Sequence, residues 1–147
     1  MENIEEILRQ FRFRMRIAKR WNDLDEAGHV NNAIYLTYFE ESRAHYFHEA
    51  CQWDWTKDGI ILANNQIDYF RPLLYLDPAY IYTRTTRIGT KSIELQYIIV
   101  NEYEDRKVLV SRGSSVVVTY DYRAQGSVLV PQYTRDRIAA YEPQPIS

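Results

Sequence analysis

The sequence predicts an α+β fold, a single domain over residues 1–147 with a mainly antiparallel sheet and one long helix. Three observations lead there. Residues 33–50 carry Tyr35, Tyr38, Phe39, Ser42 and Tyr46 at three- and four-residue steps, the spacing of one helix face. From Ile60 onward the chain reads as strand after strand, broken by short turns. The 147 residues suffice for one core, with no internal repeat and no linker that would divide them.

Taken in order, Asn3 to Gln10 reads as a short helix. Phe11 to Trp21 alternates, with Phe11, Phe13, Met15 and Ile17 on one side and Arg12, Arg14 and Arg16 on the other. Period two with one wet face means an antiparallel strand. The long helix is expected from about Ala33 to Ala50, with Asn31 or Asn32 as its cap, and a surface ion pair between Glu40 and Arg43. Cys51 to Gly59 is a loop whose Trp53 and Trp55 cover one end of the core or line a pocket. Strands follow over Ile60–Phe70, Ala79–Ile88, Ser92–Tyr103 and Lys107–Tyr122, with breaks at Arg71-Pro72 and Asp77-Pro78 and turns at Gly89-Thr90 and Glu104-Asp105-Arg106. Gly113 marks a bulge or a point of close approach. Gly126 falls in a loop, Val128 to Val130 is a short apolar stretch, Thr134 caps a small terminal helix through Tyr141, and Pro143 and Pro145 leave a frayed tail.

Composition narrows the function classes. A net charge of −2 gives no electrostatic case for nucleic acid, and the arginine row is read as a solvated face. Cys51 is the only cysteine, so an intramolecular disulfide is impossible and a cytoplasmic location is expected. The start is charged and lacks the apolar core of a secretory signal, and no apolar run approaches the ~20 residues of a membrane span. His29, His45 and His48 form no ligand set of recognised spacing, so no metal and no cofactor is expected. A G-x-S-x-G nucleophile elbow is lacking.

The most informative stretch is N-D-L-D-E-A-G-H-V-N-N-A-I-Y-L-T-Y-F-E-E-S-R, Asn22 to Arg43. Two carboxylates, Asp23 and Asp25, and an imidazole, His29, precede a helix N-terminus. That terminus offers unpaired N–H groups and roughly half a unit of positive charge. A base beside such donors is what acyl transfer requires. The string resembles the hotdog-fold thioesterases of the 4-hydroxybenzoyl-CoA thioesterase type, whose pattern is close to D-x-D-x-x-G-H-V-N-N-x-x-Y-x-x-Y-x-E-x-x-R. All its fixed positions are met, from Asp23 to Arg43.

The resemblance implies a hotdog domain, its sheet wrapped around the long helix, that hydrolyses an acyl-CoA or acyl-carrier-protein thioester in fatty acid metabolism or a related pathway. It implies a homodimer or homotetramer with sites between subunits. Asp25 matches the catalytic carboxylate, as general base or as nucleophile, and the backbone N–H near Asn32 matches the oxyanion donor. His29 either orients water or the thioester carbonyl, or fixes the turn. Asp23 is read as a structural cap. Tyr35 and Tyr38 either line the acyl slot or form the core stripe of the helix. Arg87, Lys91 and Ser92 stand where relatives carry basic residues for the coenzyme, although Gly89 and Thr90 replace some of that charge; a plain turn is the other reading. A non-catalytic acyl-CoA-binding module and a hotdog hydratase or dehydratase are the competing functions.

Overall fold

The computed structural model describes residues 3–147; residues 1 and 2, assigned above to the same domain, lie outside it. Its elements are α1 (Ile4–Leu8), β1 (Phe13–Arg16), α2 (Ile34–Cys51), β2 (Gly59–Tyr69), β3 (Ala79–Ile88), β4 (Ser92–Glu102), β5 (Lys107–Asp121), β6 (Gly126–Ser127) and α3 (Gln132–Tyr141). The strands form one antiparallel sheet in the order β1-β3-β4-β5-β2, with β6 also on β5. This is the curled sheet around a long helix that the resemblance implies.

Helix α2 lies on the sheet by the face its spacing predicts: Tyr35, Tyr38, Phe39, Ser42 and Tyr46 are all buried. The chain leaves α2 through Gln52 in the left-handed region, φ 51°. Phe39 stacks on Tyr97 of β4 at 4.2 Å and 7°. Gly113, the cross-strand partner of Tyr97 on β5, provides the room: a β-carbon there would press into the Phe39 ring and come 2.8 Å from the Gln66 carbonyl. Gly113 is therefore a close approach, while the register shifts of the sheet fall elsewhere, at Leu62/Asn64, Thr85/Arg87 and Ile99/Val100. Gly113→Ala is expected to cost about 1–3 kcal/mol by overpacking, seen as a fall of several degrees in Tm. An unchanged melting curve would show that the ring moves aside freely. A second apolar cluster, Leu8, Phe11, Tyr82, Ile98 and Val100, packs α1 on the opposite face of the sheet.

Several expectations are corrected. The first strand stops at Arg16, and Trp21–Asp23 form a 3-10 turn. Arg43 donates to the Tyr97 hydroxyl at 3.1 Å, and among the described residues it forms no ion pair with Glu40. Trp53 is buried against Phe47, as a core residue would be, but Trp55 is exposed. Gly126 belongs to β6, not to a loop. Thr134 sits inside α3, whose cap position is Pro131. The tail is tied down: Ser147 exchanges bonds with Thr86 and Ile88 of β3, and the buried Glu142 carboxylate accepts from the Tyr46 hydroxyl. Burial raises the Glu142 pKa, and these donors only partly offset it.

Candidate active site

Residues 23–34 form two linked turns. Asp23 closes the first. It is 1% exposed, and its carboxylate accepts from the Arg20 amide at 2.9 Å, the Arg20 guanidinium at 3.2 Å and the Tyr38 hydroxyl at 2.7 Å. Burial alone would push its pKa up, but these donors outweigh it and hold the carboxyl below its usual range. Burial and this carboxylate together raise the pKa of Tyr38. Asp23 and Tyr38 are thus a structural pair that ties the turn to α2.

Asp25 is built differently. It is exposed, and its Oδ1 accepts from the amides of Ala27 at 2.9 Å and His29 at 3.1 Å. Its own N–H donates to the His29 carbonyl at 2.7 Å, and Gly28, at φ 81°, supplies the left-handed backbone that the turn needs. Among the described residues nothing bonds its Oδ2. One oxygen anchors the side chain, and the other's lone pairs are not taken up by these bonds. Asp23 and Asp25 share no partner, so the paired carboxylates do not act on each other through a common donor.

The next turn starts α2. The Asn31 Oδ1 accepts from the Ala33 amide, and the Asn31 carbonyl from the Ile34 amide, both at 2.9 Å. The Asn31 side chain thus closes the turn that leads into α2, but the cap position of the helix is Ala33, with no side-chain bond, so the cap expected at Asn31 or Asn32 is corrected. Among the described residues the Asn32 N–H has no partner. It lies just ahead of the positive end of α2, where a developing negative charge is favoured.

The sheet supplies the opposite wall. The loop from Leu24 to Val30 is stitched to residues 73–74 by the Val30 N–H to Leu73 carbonyl bond, 2.8 Å, and a bridge between His29 and Leu74. The resulting cleft, about 280 Å³, is lined by Asp25, His29, Asn32, Tyr35, Tyr69 and Arg71, with Val30, Phe70 and Pro72 between them. The Tyr35 ring is buried and meets the edge of Tyr69 at 4.9 Å and 84°. Burial raises its hydroxyl to about 12, so Tyr35 stays protonated at neutral pH.

Of the residues singled out in the sequence, Asp25, His29, Asn32 and Tyr35 meet at this cleft. Tyr38 lies on the core side, bonded to Asp23. Arg87, Lys91 and Ser92 are at the other end of the sheet, since Ser92 is level with Val118 and Ile61, whereas the cleft abuts Tyr69. Eight residues of strand at ~3.3 Å each separate those ends by roughly 26 Å. Arg87 pairs with Glu94 at 3.1 Å. Tyr69, Phe70 and Arg71 were not anticipated as wall residues; the signal available was an aromatic pair and a cation just before the proline that ends a strand.

Comparison with known proteins places this geometry among relatives. A family model described as the thioesterase-like superfamily matches residues 19–138. The chain is 32% identical over 89 residues to the protein YsmA of Bacillus subtilis (strain 168), a stretch covering 60% of this chain and 60% of YsmA. It is 28% identical over 125 residues to the long-chain acyl-CoA thioesterase FadM of Escherichia coli (strain K12), covering 83% of this chain and 93% of FadM. Among solved structures it is similar to a thioesterase from Thermus thermophilus in complex with coenzyme A and zinc. That likeness has a TM-score of 0.81 and 31% identity over 93% of this chain and 98% of the other.

Proposed function

This chain belongs to the thioesterase-like superfamily, and from that premise we propose that it hydrolyses an acyl-CoA thioester to the free acid and coenzyme A. One observation carries the reading: Asp25 and Asn32, which have a carboxylate oxygen and a backbone N–H without partners among the described residues, line the same small cleft. The thioester carbonyl oxygen accepts from the Asn32 N–H. Oδ2 of Asp25 either takes a proton from attacking water or bonds the carbonyl carbon itself. Negative charge gathers on the carbonyl oxygen, at the positive end of α2, and collapse of the adduct expels the thiolate, which takes up a proton; on the second route water then cleaves the acyl-Asp25 anhydride, releasing the acid and restoring the carboxylate. His29 lies beside the reacting groups to orient water. The likeness to FadM and to a thioesterase that binds coenzyme A supports the coenzyme as carrier over a carrier protein.

We further propose a homodimer or larger assembly. Strand β2 ends the sheet, bonded on one side only, and exposes Ile61 at 40%, Leu62 at 46% and Tyr69 at 44%. Such an edge pairs with another chain unless covered. At about 280 Å³ the cleft also falls short of the ~300–1,000 Å³ of ordinary ligand pockets, so a second subunit supplies the missing wall. Antiparallel pairing of β2 with itself would set the Arg87–Ser92 end of one copy near the Tyr69 end of the other. That arrangement restores a role for Arg87 and Lys91 toward the coenzyme phosphates. No helix among the described residues is long and apolar enough to cross a membrane. The buried, unpaired Cys51 fits the reducing cytoplasm.

Thiol release from a panel of short-chain, long-chain and aryl acyl-CoA substrates tests the activity and identifies the acyl group. Turnover of at least one member is expected. Tight binding of every member without release of coenzyme A would instead identify a binding module.

A further inference from the structure

Residue 32 is held from both sides. Ahead of it, the Asn31 N–H donates to the Asp23 carbonyl at 2.8 Å, and the Asn31 carbonyl accepts from Ile34. Behind it, the Ala33 N–H donates to Asn31 Oδ1, and the Asn32 carbonyl accepts from the Tyr69 hydroxyl at 2.9 Å. All but one of these bonds are local to residues 23–34. The exception comes from the last residue of β2, across the cleft. We propose that Tyr69 is the positioning residue of the oxyanion donor: its hydroxyl pins the carbonyl of the 32–33 peptide, which adjoins at the Asn32 Cα the 31–32 peptide that carries the Asn32 N–H, and so limits the rotation that would turn that N–H away from the cleft.

The proposal rests on the thioesterase reading and adds a residue to it. Tyr69 is suited to the task. Its ring is braced edge-on against the buried Tyr35, which limits its rotation. Its pKa is raised by burial, which keeps the hydroxyl a donor at and above neutral pH. Among the described residues the hydroxyl makes a single bond, to the Asn32 carbonyl, so its removal should cost little stability. Its importance is therefore geometric. With the 32–33 peptide free to turn, the adjoining 31–32 peptide spreads its N–H over directions that miss the carbonyl oxygen, and misplacement of a preorganised donor lowers the rate of the chemical step.

The test uses Tyr69→Phe, which deletes the hydroxyl and keeps the ring. We expect kcat to fall roughly 3- to 10-fold, with KM and Tm little changed. The same change made on top of Asn32→Pro, which has no N–H at position 32, should cost nothing further. Equal losses in the two backgrounds, a loss confined to KM, or no loss at all would overturn the proposal. A second readout needs no activity: the backbone order parameter of the Asn32 amide should drop in Tyr69→Phe while the interior of α2 is unchanged. If the wild-type protein turns over no thioester, the enzymatic reading fails, and the order parameter alone decides whether Tyr69 holds the peptide. An unaltered value there rejects it.

Discussion

Asp25→Asn is expected to lower kcat/KM by about 10²- to 10⁴-fold while leaving the fold and the melting temperature close to wild type. The structure explains why one substitution separates chemistry from architecture. Asp25 serves its turn through Oδ1, which accepts the Ala27 and His29 amides, and an asparagine carbonyl oxygen accepts the same two bonds. What asparagine cannot supply is the negative charge and basicity of Oδ2. The neighbouring acid gives the contrast. Asp23 is buried between Arg20 and Tyr38, so Asp23→Asn should act mainly on stability, by disrupting a buried charge-assisted network. Measuring thiol release and thermal melting on both variants checks the pair. Wild-type rates for Asp25→Asn would remove the carboxylate from the mechanism.

The division of labour between these two acids was only half legible in the sequence. Their spacing placed both in a turn before the helix, and the motif singled out Asp25. Nothing local says that Asp23 is swallowed by the fold; that depends on Tyr38 being carried over it by α2, and on Arg20 closing the 3-10 turn. The helix itself was readable because its face is written at a fixed spacing: Phe39 and Tyr46 could be assigned to the core before their partners were known. Its packing partner Gly113 was marked too, since a glycine inside a valine-rich strand needs a reason, although a bulge was an equally good reading. What the sequence hid is the sheet side of the cleft. Tyr69 and Asn32 are far apart along the chain and meet through tertiary packing, and Arg71-Pro72 read as punctuation rather than as a wall. The tail misled for a related reason. Two prolines suggest fraying, yet the segment bends back so that β3 holds it at Ser147, and the Glu142 carboxylate accepts from Tyr46.

Asn32 poses the complementary test, because the role proposed for it lies in the backbone. Asn32→Ala should leave turnover within a few-fold of wild type, since the side chain makes no bond among the described residues and the N–H remains. Asn32→Pro should lower kcat by about 10²- to 10³-fold, the loss associated with removing one oxyanion donor. Proline is an informative replacement here. The residue-32 N–H makes no bond among the described residues, so removing it breaks none, and the position lies ahead of α2, where proline interrupts no helical turn. The Tyr69 bond to the residue-32 carbonyl can persist as well, because proline keeps its carbonyl. A folded, dead Asn32→Pro beside an active Asn32→Ala would place the catalytic group on the main chain, where no side-chain scan could find it. Comparable activity in both would mean that the carbonyl oxygen finds its donor elsewhere, and the neutral Tyr35 hydroxyl on the same wall would be the next group to remove.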